Sequence, residues 1–478
     1  MAFAVLRHRP AHLRIGGCTA RKHVRRDEGR ARVRGLGGEG RMKRFRLAPP
    51  SLRGVVSFVV VSALLAGAGF GAGPSPAAEM STLVVGILAP FTGPDAGLGP
   101  AYFAACLPAT RAINAAGGIL GHQVTCKQFD TRGEPADAVP AARQMVASTP
   151  NLFMVIGCTS DEAASVMPVL EQNHVPAFCQ TGQSEFNQSS FKYFHRLVPP
   201  DEFDAYAMVG IAIFLDKYKR VGLVFGNDIG SQTFVAPAMR AIKKMGGTVV
   251  INQAIDLKQN SYRTEVTKLL AAKPDVILTE ALGPADATYL AELKQLNKGM
   301  IPVIGTSATV DPVWYKAVAG AIGAEDLTKY FKAVDEPTTF SGPGYDEFKA
   351  NLLASVPQFA NAAKYQKRAS TIHLYDGIVM TALAATAAKS TDRTVFLPWI
   401  LKIGNGAPGA QVAATFAQGL AALQKGTAVR YIGAGGPTHF DQWNNSNTGY
   451  IVVRFTPTGD EETVGHLTNA QISQLSSP

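Results

Sequence analysis

Enzyme signatures are missing from this chain of 478 residues. The triplet Gly97-Leu98-Gly99 lacks the third glycine of a dinucleotide fingerprint, and neither G-x-x-x-x-G-K-[ST] nor G-x-S-x-G occurs, which removes phosphate-cradling loops and nucleophile elbows. The five cysteines include no C-x-x-C pair, and they form no zinc-type pattern with the histidines. A basic surface is missing too, despite a formal charge of +10. Residues 1–53 hold 15 Lys/Arg against 3 Asp/Glu, a net +12, which leaves −2 for everything after them. A nearly neutral body carries no electrostatic footprint for nucleic acid. What is present is globular: 46% hydrophobic and 17% charged, with 47 Gly and 29 Pro, too apolar for disorder.

The basic leader reads as an export signal over residues 42–78. Met42-Lys43-Arg44-Phe45-Arg46 is a positive start, residues 55–71 are an apolar core, and Ser75-Pro76-Ala77-Ala78 offers small residues for cleavage before Glu79. Met42 is then the expected start of translation, with the Arg-rich residues 1–41 either mistranslated upstream sequence or a disordered extension. The apolar run falls just short of the roughly 20 residues that span a bilayer, so an uncleaved anchor is the alternative; the Gly-rich end favours cleavage. No cysteine follows the run before Cys106, so a lipoprotein acceptor is absent. Beyond the leader, Cys106, Cys126, Cys158 and Cys179 allow two disulfides in three connectivities, or four small buried thiols.

From Leu83 onward, short apolar runs alternate with amphipathic stretches. Strands are expected at 83–88, 124–129, 152–157 and 175–179, with helices at 101–114, 136–147 and 161–173; Gly117-Gly118 ends the first helix. The rhythm restarts after Pro199-Pro200, with helices at 203–217, 231–244, 262–272 and 285–296 and strands at 221–225, 248–255, 276–279 and 301–305. Alternation of this kind means parallel sheets covered on both faces. Roughly 400 residues exceed one hydrophobic core, so two lobes are expected. A third block, 344–423, reads as helical (345–353, 371–388, 412–423), and an apolar strand at 450–455 must join one of the sheets.

In parallel sheets, ligands sit beyond the carboxyl ends of the strands. The loops concerned are 90–99, 157–161, 180–185, 226–231, 280–284 and 306–311. Thr159-Ser160 precede a helix opening with Asp161-Glu162, so hydroxyls and free N–H groups can grip an anion there, or simply cap the helix. Asp95, Asp161, Asp228, Glu280 and Asp311 have no histidine beside them and read as solvated loop charges. His373, next to Tyr375 and Asp376, reads as satisfied structure rather than a base.

These pieces together resemble the branched-chain amino-acid type of solute-binding protein of ABC importers. The resemblance covers about residues 82–460 and rests on VGILAPFTGPDAGLG (85–99), INAAGGILGHQV (113–124), VIGCTSDEA (155–163), KRVGLVFGNDIGSQ (219–232), PDVIL (274–278), HLYDGIVMTALA (373–384) and GPTHFDQWNNSNTGY (436–450). It implies the α/β type I periplasmic binding protein fold: two doubly wound parallel-sheet lobes joined by three hinge crossings. The N-terminal lobe would be 79–200 with 336–446, the C-terminal lobe 201–335 with 447–470. It further implies an exported monomer, no catalysis, no cofactor or metal, no nucleic acid, and delivery of a small ligand to a membrane permease. A sensor domain of a receptor is the alternative in a different class; the absence of a further domain or second apolar span argues for transport.

Carried over residue by residue, the carboxylate grip falls on Thr159 and Ser160, and a backbone carbonyl and hydroxyl fall on Gly182, Gln183 and Ser184. The acid that would meet a ligand ammonium aligns with Ser307, so that partner is missing. Pocket aromatics align with Leu98, Ile229 and Leu282, an aliphatic wall, and Tyr375 joins the candidate site. The expected ligand is a carboxylate with an apolar body; an amino acid comes second and an amide or urea third. Glu280 or Asp228 could substitute for the missing acid, off the family's position. In a doubly wound lobe the third and fourth strands are neighbours, which predicts the disulfides 106–126 and 158–179; a 126–158 link occurs in some relatives.

Overall fold

The computed structural model describes residues 81–476 apart from 94, 339, 447 and 448. The leader, its cleavage site and the anchor alternative therefore lie outside the described residues. Among the described residues, no helix is long and apolar enough to cross a membrane.

Five strands form the first sheet: β1 (Leu83–Ala89), β2 (Val124–Asp130), β3 (Leu152–Thr159), β4 (Ala177–Gln180) and β5 (Phe194–His195). All pair in parallel, in the order β2-β1-β3-β4-β5. Burial explains the composition: β3 sits inside the sheet and every one of its residues is buried, whereas the edge strand β2 is mostly exposed. Gly86 lets the helix Pro135–Ser148 pack close, because a Cβ there would stand 2.6 Å from Met145 Sδ. Cys106 joins Cys126, and Cys158 joins Cys179, with Cα separations of 6.1 and 4.8 Å. Both fall in the range a disulfide requires.

The second sheet repeats the plan with β6 (Arg220–Gly226), β7 (Thr248–Ile255), β8 (Val276–Glu280), β9 (Val303–Gly305) and β10 (Phe331–Asp335), in the order β7-β6-β8-β9-β10. The chain then returns to the first lobe. The helix Ala369–Ala388, apolar all round, packs into the core of that lobe with Pro343–Leu353 and Arg393–Asn405. The stretch expected to be a helix from Val412 begins instead with β11 (Gln411–Ala413), which pairs with β12 (Val429–Gly433), and β13 (Gly436–Pro437) completes a small third sheet. A third passage brings β14 (Tyr450–Phe455) and β15 (Glu461–Leu467) to the second sheet, antiparallel beside β10. The chain thus passes between the lobes three times, in a type I periplasmic binding protein fold.

Candidate functional site

Parallel strands point all their carboxyl ends one way, so the loops of each sheet gather at one edge, and the two edges face a common cavity of about 180 Å³. All six loops picked out from the sequence contribute to its lining.

On the first-lobe side, Gly157 (φ 110°) and Cys158 (φ 40°) turn the end of β3, and the pairing with β4 slips by one residue between Gly157 and Thr159. The slip places Thr159 and Ser160 against the cavity, at the start of the helix Ser160–Gln172. Cys158 is fastened to Cys179 on β4, so the disulfide pins the strand end that carries the two hydroxyl residues. Ser160 Oγ donates to Thr181 Oγ1 at 3.2 Å. Leu98 and Gly182 also line the cavity. The Gly182 carbonyl, expected to face a ligand, accepts from the Asp201 N–H at 2.7 Å. A Cβ at Gly182 would collide with Asp201 Oδ1 at 1.9 Å, so only glycine fits between this loop and the first crossing.

Four expected residues lie outside the lining. Gln183 is buried, and its carbonyl accepts from Arg196 at 3.2 Å. Ser184 opens the short turn Ser184–Phe186, and the hydroxyl that Ser160 meets is that of Thr181. Ile229 is 51% exposed, because the short helix Ile229–Gln232 turns its backbone rather than this side chain toward the other lobe. Tyr375 is sealed in the first-lobe core and donates to Glu347 at 3.1 Å, because its helix is buried all round. His373 is likewise buried, and burial lowers its pKa.

The second-lobe side carries Leu282, Val313 and Trp314, with Phe234 and Tyr102 also in the lining, so aromatics return from positions the resemblance did not mark. Ser307 lines the cavity as well, and its Oγ donates to Asp204 Oδ2 at 3.1 Å. An acid thus stands against the very position where the sequence lost one. Asp204 is 5% exposed, and its Oδ1 has no protein partner. It belongs to the helix Asp201–Gly210 that follows the first crossing. The missed signal was Asp201-Glu202-Phe203-Asp204: an acidic first turn reads as helix-dipole compensation, yet Asp201 and Asp204, three apart, share one face.

Carboxylates dominate the lining. Asp95 and Asp161 come from the first lobe, Asp228, Glu280 and Asp311 from the second, and Asp201, Asp204, Asp335 and Glu336 from the crossings. The loop acids are not solvated charges: Asp95 and Asp311 are 8% and 4% exposed. Burial, then repulsion from Asp161 and Asp228, pushes Asp95 up to about 8. Burial and Asp228 push Asp161 up to about 6. Burial also holds Asp204 and Glu280 well above the usual carboxylate range, with neighbouring acids adding to it. Arg368 is the one lining cation among the described residues; its Nη1 donates to the Ser307 carbonyl at 2.9 Å, and its Nε lies 4.0 Å from Asp311. No group of acids, histidines or cysteines among the described residues could hold a metal ion.

Residues 82–460 match the family model described as periplasmic binding protein. The chain belongs to that family. It is 28% identical over 285 residues to the Leu/Ile/Val-binding protein BraC3 of Rhizobium johnstonii, across 57% of this chain and 77% of that one. Among solved structures it resembles the branched-chain amino acid transporter substrate binding protein LivJ from Streptococcus pneumoniae, in complex with isoleucine (TM-score 0.64, 18% identity, 80% of this chain and 99% of that one). It also resembles a solute binding protein of an ABC transporter from R. palustris in complex with benzoate (TM-score 0.63, 15% identity, 80% and 96%). Within that family, it resembles the branched-chain amino-acid type. Proteins of this family capture small ligands, and the family is one of exported proteins.

Proposed function

We propose that the ligand is an α-amino acid, held by both of its charged ends. The observation that carries this reading is Asp204, buried against Ser307 with one carboxylate oxygen free of protein partners at the cavity. A buried carboxylate without a counter-charge is costly, and a ligand ammonium supplies one. The opposite end of the ligand meets Thr159, Ser160 and the free N–H groups of the helix they begin, which favour a carboxylate. Leu282, Leu98 and Trp314 then bury the apolar body at roughly 25 cal/mol per Å². The Leu/Ile/Val-binding relative supports the same ligand class.

The apolar carboxylic acid expected from the sequence keeps the grip and the apolar wall but brings no cation to Asp204 and Glu280. The benzoate-bound neighbour is the observation in its favour. Calorimetry with L-leucine and 4-methylpentanoate, which differ only in the amino group, separates the two readings. The amino acid should bind at least tenfold tighter, a gain of about 1.4 kcal/mol; equal or weaker binding of the amino acid overturns the proposal. The protein acts as a monomer that binds and releases its ligand unchanged, without catalysis and without nucleic acid.

A further inference from the structure

Asp204 must be aimed to be useful, and the loop that carries Ser307 aims it: the Ser307 hydroxyl and N–H meet Asp204 Oδ2 at 3.1 and 3.4 Å. That loop belongs to the second lobe, just beyond β9, yet it is held from across the cleft. Arg368 has its backbone in the first lobe, where its N–H donates to the Tyr365 carbonyl and its carbonyl accepts from the Ile372 N–H, both residues of the first-lobe core. Arg368 is 5% exposed, and its guanidinium lies among second-lobe groups, Nη1 donating to the Ser307 carbonyl at 2.9 Å and Nε lying 4.0 Å from Asp311 Oδ2. At 4.0 Å the second contact is an attraction between charges rather than a hydrogen bond, and among the described residues neither Nε nor Oδ2 has a hydrogen-bond partner. Asp311 is itself fixed, since its Oδ1 caps the helix Pro312–Ile322 through the Val313 and Trp314 N–H groups. Burial works against charge on the guanidinium, but Asp311, then Asp335, Glu461 and Glu336, outweigh it, so Arg368 stays charged. Two other contacts between the lobes differ: Lys258 and Glu134, 3.4 Å apart, are exposed side chains whose pairing is worth little, and Asp161 meets the backbone of Gly230, not the Ser307 loop.

We propose that Arg368 is a positioning residue for ligand capture: reaching across the cleft, it fixes the Ser307 loop, and through Ser307 the carboxylate of Asp204, when the lobes come together. The inference rests on the amino-acid reading above. Because the backbone of Arg368 is rooted in one lobe and its guanidinium in the other, opening withdraws the guanidinium from Ser307 and Asp311 and loosens the ammonium seat; closure restores both. The ligand enters while the seat is loose and is gripped once Arg368 docks, so the residue acts on release more than on capture.

Stopped-flow kinetics and calorimetry with L-leucine and 4-methylpentanoate, on the wild type and Arg368→Met, test it. Leucine should bind about tenfold more weakly or worse in the variant, through faster dissociation, with the association rate within about threefold of the wild type. 4-Methylpentanoate, which has no ammonium for Asp204, should lose less, so that the amino group's advantage narrows. Equal losses for the two ligands overturn the inference, because they mark Arg368 as a plain contact to the ligand or a general prop of the fold; an unchanged dissociation rate overturns it too. Arg368→Lys keeps the charge without the planar fork and should recover part of the loss. If Arg368→Met does not fold, Asp311→Asn decides, since asparagine keeps the helix cap and removes the charge: leucine should then leave several-fold faster, and an unchanged rate overturns the inference. Equal affinities of the two ligands for the wild type overturn the amino-acid reading and the inference with it, a failure visible before any variant is made.

Discussion

The two lobes share one strand order, β2-β1-β3-β4-β5 in the first and β7-β6-β8-β9-β10 in the second, but they present different chemistry to the cleft. The first lobe carries both disulfides and offers hydroxyls at the head of a helix. The second lobe and the crossings bring seven of the nine lining carboxylates and most of the apolar surface. On the proposed reading, the same scaffold supplies a grip for an anion on one side and a surplus of acidic groups on the other. A ligand of one sign alone would satisfy only half of the cleft.

The largest expected effect follows from removing the first-lobe grip. Thr159→Val with Ser160→Ala deletes two hydroxyls that can donate to a carboxylate, each bond being worth on the order of 1.5–3 kcal/mol, so amino-acid affinity should fall by roughly 100-fold or more. Calorimetry checks it; a loss below tenfold would move the anion seat elsewhere.

The disulfides sharpen the comparison within the first lobe. They close loops of nearly equal length, with separations of 20 and 21 residues, so replacing either cystine by two alanines should cost about 3 kcal/mol of stability in chemical denaturation. Only the Cys158–Cys179 link adjoins Thr159. Its loss should therefore also weaken binding, by about tenfold through a displaced strand end, whereas loss of Cys106–Cys126 should leave affinity unchanged. Equal effects on affinity would show that the strand end holds its shape unaided.

A further effect concerns pH. Because the folded protein holds Asp95 up near 8, above the value of about 3.9 for a free Asp side chain, folding favours its protonated form. The stability this contributes is complete below the unfolded value and is lost as pH rises through about 8. Thermal unfolding of the ligand-free protein against Asp95→Asn should show the wild type losing ground steadily from pH 5 to 8.5. A constant difference across that range would contradict the burial of this carboxyl.

Much of this is legible in the sequence. The alternation of buried runs such as LVVGILA and LFMVIGCT with helices gave both sheets, and the six loops at their carboxyl ends do form the cavity. Short or edge elements escaped: β5 has two residues, β11 three, and β15 is largely exposed, so none makes an apolar run. Tyr375 was misplaced because a helix apolar on every side offers no periodicity to tell cleft from core. Asp204 was missed because an acid in a first turn has an ordinary local explanation, and only the fold brings it to Ser307. The loop acids were misjudged because burial of a charge by the opposing lobe leaves no local trace in sequence.

The capture of an ammonium by Asp204 is tested most directly by a four-cornered binding cycle. L-leucine and 4-methylpentanoate are each titrated into the wild type and into Asp204→Asn, and the interaction energy between the amino group and the carboxylate is taken from the four affinities. The account predicts a coupling on the order of 1.5–3 kcal/mol, with the amino group's advantage largely gone in the variant. An amino group that contributes equally in both proteins would contradict it.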